Sequence, residues 1–326
     1  MKKNKLGRTN LEISEITLGG GWVGGLFIDA EYKVMENAIE LALDRGINWI
    51  DTAESYSEGV SEKNIGMLLD CLNPNEKIYV STKARLDPQS SETFESQIDR
   101  KLDNSLKRLK LDQLNLYQLH NKITLEKGSE TLTEKEVLEA NGLAEIMLKL
   151  KEDQRVQNIG ITALGDTNSI KNVLETGYFD TAQVYYNLLN PSVEFEEADA
   201  WNDHDFSGLI SVCNKHKMGV LGIRVFAAGL LATDIRHGRE IPVTNVINID
   251  EEERRAHKLS ELVGENYGNR AQYALRYGLS SKNINSIVIG MATLEHLKNS
   301  IEAVEMGPLP ASLLKDVSEL QKSNFL

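Results

Sequence analysis

The sequence predicts a (β/α)8 barrel, a single domain over residues 1–326, and three observations predict it. Eight short apolar runs alternate with longer amphipathic segments along the 326 residues. The first run is not followed by GxGxxG: the glycines at 19–21 and 24–25 lack the spacing an open dinucleotide-binding sheet requires. No Pro/Ser-rich linker or low-complexity tract divides the chain, so the alternation belongs to one closed unit.

The runs are Ile16–Gly19, Ile47–Ile50, Ile78–Thr82, Leu114–Leu119, Asn158–Thr162, Ala182–Tyr186, Val220–Ile223 and Ser286–Gly290. They are short, nearly continuous and often β-branched, as strands buried on both faces of a parallel sheet are. Between them, Tyr32–Arg45 carries apolar residues at Val34, Ala38, Leu41 and Ala42, and Gly46 supplies a helix stop. Phe94–Leu109 presents one stripe of Phe94, Ile98, Leu102, Leu106 and Leu109. Leu294–Val304 repeats the pattern, with Thr293 as N-cap. Long insertions at Asn121–Asn141 and Ala232–Asp250 follow the fourth and seventh strands, on the face where barrels build their sites.

Bulk properties bound the partners. The chain holds 36 basic and 49 acidic residues, a net charge of −13, which disfavours nucleic acid and anionic membranes. Cys71 and Cys213 are the only cysteines, too few for a disulfide framework, so a reducing cytosol is expected. No apolar h-region follows the basic N-terminus and no stretch is long enough to span a membrane, so the expected location is cytoplasmic. No metal site is expected, and periodicity does not reveal an oligomeric state.

Three polar residues close predicted strands: Asp51 in INWID, Lys83 in IYVSTK and His120 in LYQLH. Strand C-termini of a barrel converge on one rim, so residues far apart in sequence meet there. Tyr56, in the loop DTAESYSEG, turns back over the same rim. Alone, each has a plain structural role: Asp51 as a cap, Tyr56 as a packed loop aromatic, His120 as a satisfied histidine. Together they fit one chemistry. A free tyrosine titrates near pH 10, and a neighbouring ammonium such as Lys83 favours its phenolate. Asp51 would keep Lys83 charged, and His120 would orient a carbonyl oxygen or relay a proton. Such a group protonates a developing alkoxide as hydride arrives. None of the four donates hydride, so a nicotinamide cofactor is implied.

At DTAESYSEGVSEKNIG, STK and LYQLH the chain resembles the aldo-keto reductase superfamily, from LGRTNLEISEITLGGG to VIGMATLEHLKNSIEAVE. The resemblance implies an N-terminal hairpin at LGRTNLEIS closing the barrel bottom. It also implies NADP(H)- or NAD(H)-dependent conversion between a small carbonyl and an alcohol or sugar. It assigns Tyr56 as general acid, Lys83 as its electrostatic partner, Asp51 as support for Lys83 and His120 as carbonyl orienter. The cofactor positions it implies are Gly20, Gly21, Trp22, Asp51, Thr162, Gln183, Arg224, Val225, Phe226, Ala228, Leu230, Gly290, Met291, Thr293, His296 and Ser300. Gln183 matches the nicotinamide-binding glutamine. Thr162-Ala163 replaces the usual Ser-Asn, and Ile223 stands where many members carry a stacking tyrosine. Gly290 and His296 stand where a 2′-phosphate clamp carries basic residues, with Lys298 two residues further on, so the type of dinucleotide stays open. Trp22 is equally placed to line the substrate pocket or to pack under a loop.

Two other functions fit some of these residues. Lys83 as a Schiff-base nucleophile is one, and it needs a neutral amine that Asp51 opposes. A nicotinamide-binding sensor or regulatory subunit on the same fold is the other.

Overall fold

The computed structural model describes residues 1–71, 78–196, 201–236, 238 and 248–326. Eight parallel strands close into a barrel in chain order. They are β1 (Ile16–Gly19), β2 (Trp49–Asp51), β3 (Tyr79–Ala84), β4 (Leu116–Leu119), β5 (Ile159–Ala163), β6 (Thr181–Tyr185), β7 (Gly219–Ile223) and β8 (Ser286–Gly290). Each lies on one of the eight predicted runs, and β1 and β8 match their runs end to end. β8 pairs with β1 through Ile287–Ile16 to Gly290–Gly19, which closes the ring.

The helices ring the barrel because one stripe of each is apolar. They are α1 (Tyr32–Asp44), α2 (Val60–Asp70), α3 (Phe94–Leu109), α4 (Leu143–Glu152), α5 (Thr167–Glu175), α6 (Leu209–Lys215), α7 (Ile249–Val263), α8 (Arg270–Ser280), α9 (Leu294–Met306) and α10 (Ala311–Lys322). In α1 the fully buried row is Met35, Ala38, Ile39 and Ala42, with Val34 and Leu41 at its edge. The buried face is therefore rotated slightly from the predicted stripe. α1 ends where Gly46 takes the left-handed φ of 78°. α3 keeps its predicted bounds; Thr93 caps it by accepting from the Ser96 N–H at 3.2 Å.

A hairpin of Lys3–Lys5 against Glu12–Ser14 lies under the barrel. Its Leu6, Leu11 and Ile13 form a second apolar cluster with Trp49, Leu116 and Leu221 from the strands' lower halves. Arg8 locks it there by donating to the carbonyls of Gly177 (2.6 Å) and Phe179 (2.9 Å). The hairpin thus covers the N-terminal end of the barrel and shields it from solvent.

The insertion at 121–141 has structure of its own. Lys122–Thr124 pairs in parallel with Thr131–Thr133, and a short helix, Glu134–Leu138, begins in a capping box between Thr133 and Glu136. Asn121 ties its base to β3 by donating to the carbonyls of Leu86 and Glu130, both at 2.8 Å. The insertion at 232–250 lies largely outside the described residues. Among the described residues no helix is long and apolar enough to cross a membrane.

Candidate active site

Asp51, Lys83 and His120 sit on three successive strands at the C-terminal rim, and the β2–α2 connection brings Tyr56 over them. That connection reverses because Ser57, Glu58 and Gly59 hold left-handed φ values of 50°, 52° and 86°. For the two non-glycine residues this costs roughly 1–2 kcal/mol each. Glu54 pins the same loop to the barrel: its Oε1 accepts from the Arg85 N–H at 3.1 Å and from Lys101 Nζ at 2.6 Å.

Lys83 lies inside β3, with Ala84 as the last strand residue, and is 1% exposed. Its Nζ donates to Asp51 Oδ2 at 2.6 Å, to the Thr52 carbonyl at 2.8 Å and to Tyr56 Oη at 3.3 Å. It also stands 5.0 Å from the Tyr56 ring centre. Burial pulls the ammonium's pKa down, but Asp51 and Tyr56 beside it outweigh that, and the net shift is upward. Lys83 is therefore held protonated, which opposes its use as a Schiff-base nucleophile.

Asp51 Oδ1 accepts from Ser81 Oγ (2.7 Å), Gln183 Nε2 (2.7 Å) and, more loosely, Gln118 Nε2 (3.3 Å). Ser81 Oγ in turn accepts from Trp49 Nε1 at 3.0 Å. Ser81 and Gln118 were not anticipated from sequence. The signal was present: they stand two residues before Lys83 and His120, and alternate residues of a strand share the barrel's inner face.

His120 packs edge-on to Tyr56, with ring centres 5.7 Å apart at 83°. Its Nδ1 is 3.2 Å from Ser55 Oγ, another residue the sequence did not single out. Loss of water, then the charges of Lys83, Arg85 and Arg224, hold the imidazole well below its ordinary pKa, so it is neutral at pH 7.

The expected cofactor positions divide. Gly20 donates its N–H to the Asp51 carbonyl at 2.8 Å, and a Cβ there would meet Ser61 Oγ at 2.6 Å. A Cβ on Gly21 would lie 3.8 Å from the Tyr56 ring, so the loop passes close beside the phenol. Trp22 is 36% exposed. Thr162 and Gln183 are register neighbours on β5 and β6. Both are buried, and the Thr162 hydroxyl has no hydrogen-bond partner. Arg224, at the end of β7, has a left-handed φ of 64°, as do Ala227 (45°) and Ala228 (56°) in the turn beyond it. Phe226 is half-buried against the core.

At other expected positions the side chain is already engaged within the protein. The side chains of Val225 and Leu230 are core, so only their backbone is available to a ligand. Met291 is fully buried, and its carbonyl accepts from the Leu26 N–H at 3.0 Å. Ser300 is buried on α9 and donates to the His296 carbonyl at 2.9 Å. Thr293 caps α9 by accepting from the His296 N–H, while His296 Nδ1 accepts from the Ala292 N–H, both at 3.2 Å. Gly290 faces open space. Lys298 lies 3.6 Å from Glu295.

A closed eight-stranded parallel barrel with this rim of Asp, Tyr, Lys and His defines an oxidoreductase class, and sequence comparison agrees. The model of the Aldo/keto reductase family matches residues 15–322. The chain belongs to that family and is an NAD(P)-dependent oxidoreductase. It is 26% identical to L-galactose dehydrogenase of Arabidopsis thaliana over 92% of this chain and 86% of that one. It is 24% identical to the NADH-specific methylglyoxal reductase of Escherichia coli over 98% of this chain and 99% of that one. An aldo-keto reductase from Bacillus halodurans in its holo form shares the fold, with a TM-score of 0.74 and 22% identity over 98% of this chain and 96% of that one.

Proposed function

We propose that this chain reduces an aldehyde or ketone to an alcohol, or runs the reverse oxidation of a sugar or alcohol, with Tyr56 as the proton donor. The single observation that carries the reading is Lys83 Nζ bridging Asp51 Oδ2 and Tyr56 Oη deep in the rim. Bound nicotinamide supplies or takes up the hydride. Tyr56 Oη delivers its proton to the carbonyl oxygen, and the Lys83 ammonium meets the negative charge left on the phenol oxygen. Asp51, held by Ser81, Gln118 and Gln183, keeps Lys83 charged and in place. His120, neutral, orients the carbonyl beside Tyr56. Water is kept out from below by the hairpin and its apolar plug.

The residues present fit the cofactor. Thr162 offers a buried, unpartnered hydroxyl beside Gln183, a seat for a carboxamide that Ala163 no longer helps to fill. The turn from Arg224 to Leu230 would follow the pyrophosphate with its backbone. At the adenosine end we assign NAD(H) over NADP(H). Among the described residues His296 Nδ1 already accepts a backbone N–H, and Glu295 stands beside Lys298, a poor setting for a 2′-phosphate. The E. coli relative's NADH specificity accords with this choice.

The same reading takes residues 1–326 as one barrel domain acting on small carbonyl, sugar or alcohol substrates. It places the chain in a reducing compartment, since Cys71 and Cys213 are both free. The test is Tyr56→Phe. Carbonyl reduction should fall by about 10²–10⁴-fold, with cofactor affinity measured by fluorescence titration nearly unchanged. Retained turnover would remove Tyr56 as the acid. Tight cofactor binding by wild type with no turnover across a panel of aldehydes, ketones and aldoses would favour the regulatory reading instead.

A further inference from the structure

The proposed reaction asks His120 to donate a hydrogen bond to a carbonyl oxygen, and a neutral imidazole can do so from only one nitrogen at a time. Which nitrogen carries the proton is set by the hydrogen bond the other one makes. Nδ1 is 3.2 Å from Ser55 Oγ. A serine hydroxyl both donates and accepts, so two arrangements are open to the pair. If Nδ1–H donates to Ser55, Nε2 presents a lone pair and repels a carbonyl oxygen. If Ser55 Oγ–H donates to Nδ1, the proton resides on Nε2. Loss of water around the ring, then the positive charges of Lys83, Arg85 and Arg224, oppose the third arrangement, a doubly protonated ring.

We infer that Ser55 is a positioning residue that donates to His120 Nδ1 and thereby fixes the Nε2–H tautomer, aiming the one imidazole proton at the substrate oxygen. The inference rests on the carbonyl-reductase reading above and adds to it a residue that never touches substrate. The loop supports the role. Ser55 lies between Glu54, fastened by Arg85 and Lys101, and Tyr56, whose N–H donates to the Ala53 carbonyl at 3.1 Å. The hydroxyl therefore has a fixed origin from which to reach the ring. One turn then delivers both the proton donor, Tyr56, and the group that sets the proton position on its neighbour.

The experiment uses the full chain with 15N-labelled histidine. Long-range 15N–1H correlation identifies the tautomer of each of the six histidines, and His120→Asn assigns the signal. The wild type should show Nε2 protonated and Nδ1 as acceptor. Ser55→Ala should move the Nδ1 shift away from that of a hydrogen-bonded acceptor. It should also lower kcat for 4-nitrobenzaldehyde by about tenfold, the scale of one lost hydrogen bond, with the cofactor Kd unchanged. Ser55→Thr should restore both. A protonated Nδ1 in an active wild type would overturn the role of Ser55 and leave the reductase reading standing. So would a Ser55→Ala enzyme with unaltered shifts and kcat. A wild type that holds the Nε2–H tautomer through Ser55 but reduces no carbonyl would overturn the reductase reading alone.

Discussion

Lys83 is nearly completely buried, and a charge in that position is tolerated only when it is paired and hydrogen-bonded. Asp51, the Thr52 carbonyl and Tyr56 take up its three protons, so the ammonium leaves no donor unsatisfied. The same bonds make it indispensable. Lys83→Met leaves Asp51 buried without its counter-ion, and removal of one member of a buried pair costs about 3–5 kcal/mol. We expect that loss in a denaturant titration at pH 7, together with impaired proton transfer; full activity in this variant would remove the electrostatic role of Lys83. The sign of the pH effect follows from the raised pKa of Lys83. Its contribution is complete below the ordinary lysine value and disappears only as pH rises through the higher folded value. The lysine's contribution is therefore undiminished across the physiological range.

Among the elements, the strands were the most readable, because burial on both faces leaves an unbroken apolar signature. Helix α3 was readable for a different reason: five apolar residues at helical spacing meet a capping threonine. The insertion at 121–141 was not, because its strand pair is two three-residue pieces whose pairing partners lie nine positions apart and leave no periodic trace. At α9, sequence located the helix and its cap but not that Ser300 lies on the buried side. The hydroxyl points inward because Leu297, Ser300 and Ile301 share the buried face. The N-terminus of α9 carries the prediction for dinucleotide choice. Fluorescence titration should give a Kd for NADH at least as tight as that for NADPH. A tenfold preference for NADPH would overturn the choice of NAD(H).

At the scale of the whole molecule the barrel has two unlike ends. The lower end is sealed by Leu6, Leu11 and Ile13 of the hairpin, and Leu6 is fully buried against the Gly219 backbone. The upper end holds the rim of Asp51, Tyr56, Lys83 and His120. Leu6→Ala should therefore cost about 2–5 kcal/mol in denaturant stability, and kcat should be unchanged at a temperature where the variant is folded. A large fall in kcat there would show the two ends to be coupled. Sequence by itself located the eight strands and the polar residues Asp51, Lys83 and His120 at their ends, with Tyr56 in the loop beyond the second, since apolar runs and their terminal polar residues are local features. Only the tertiary structure decided which groups hold those four in place. Ser81, Gln118 and Gln183 come from three separate stretches of chain and meet at Asp51 Oδ1 only when the sheet closes, while Ser55 reaches His120 from the β2–α2 connection. Closure also buries the Thr162 hydroxyl without a partner, a property that belongs to its surroundings and not to its identity as a threonine.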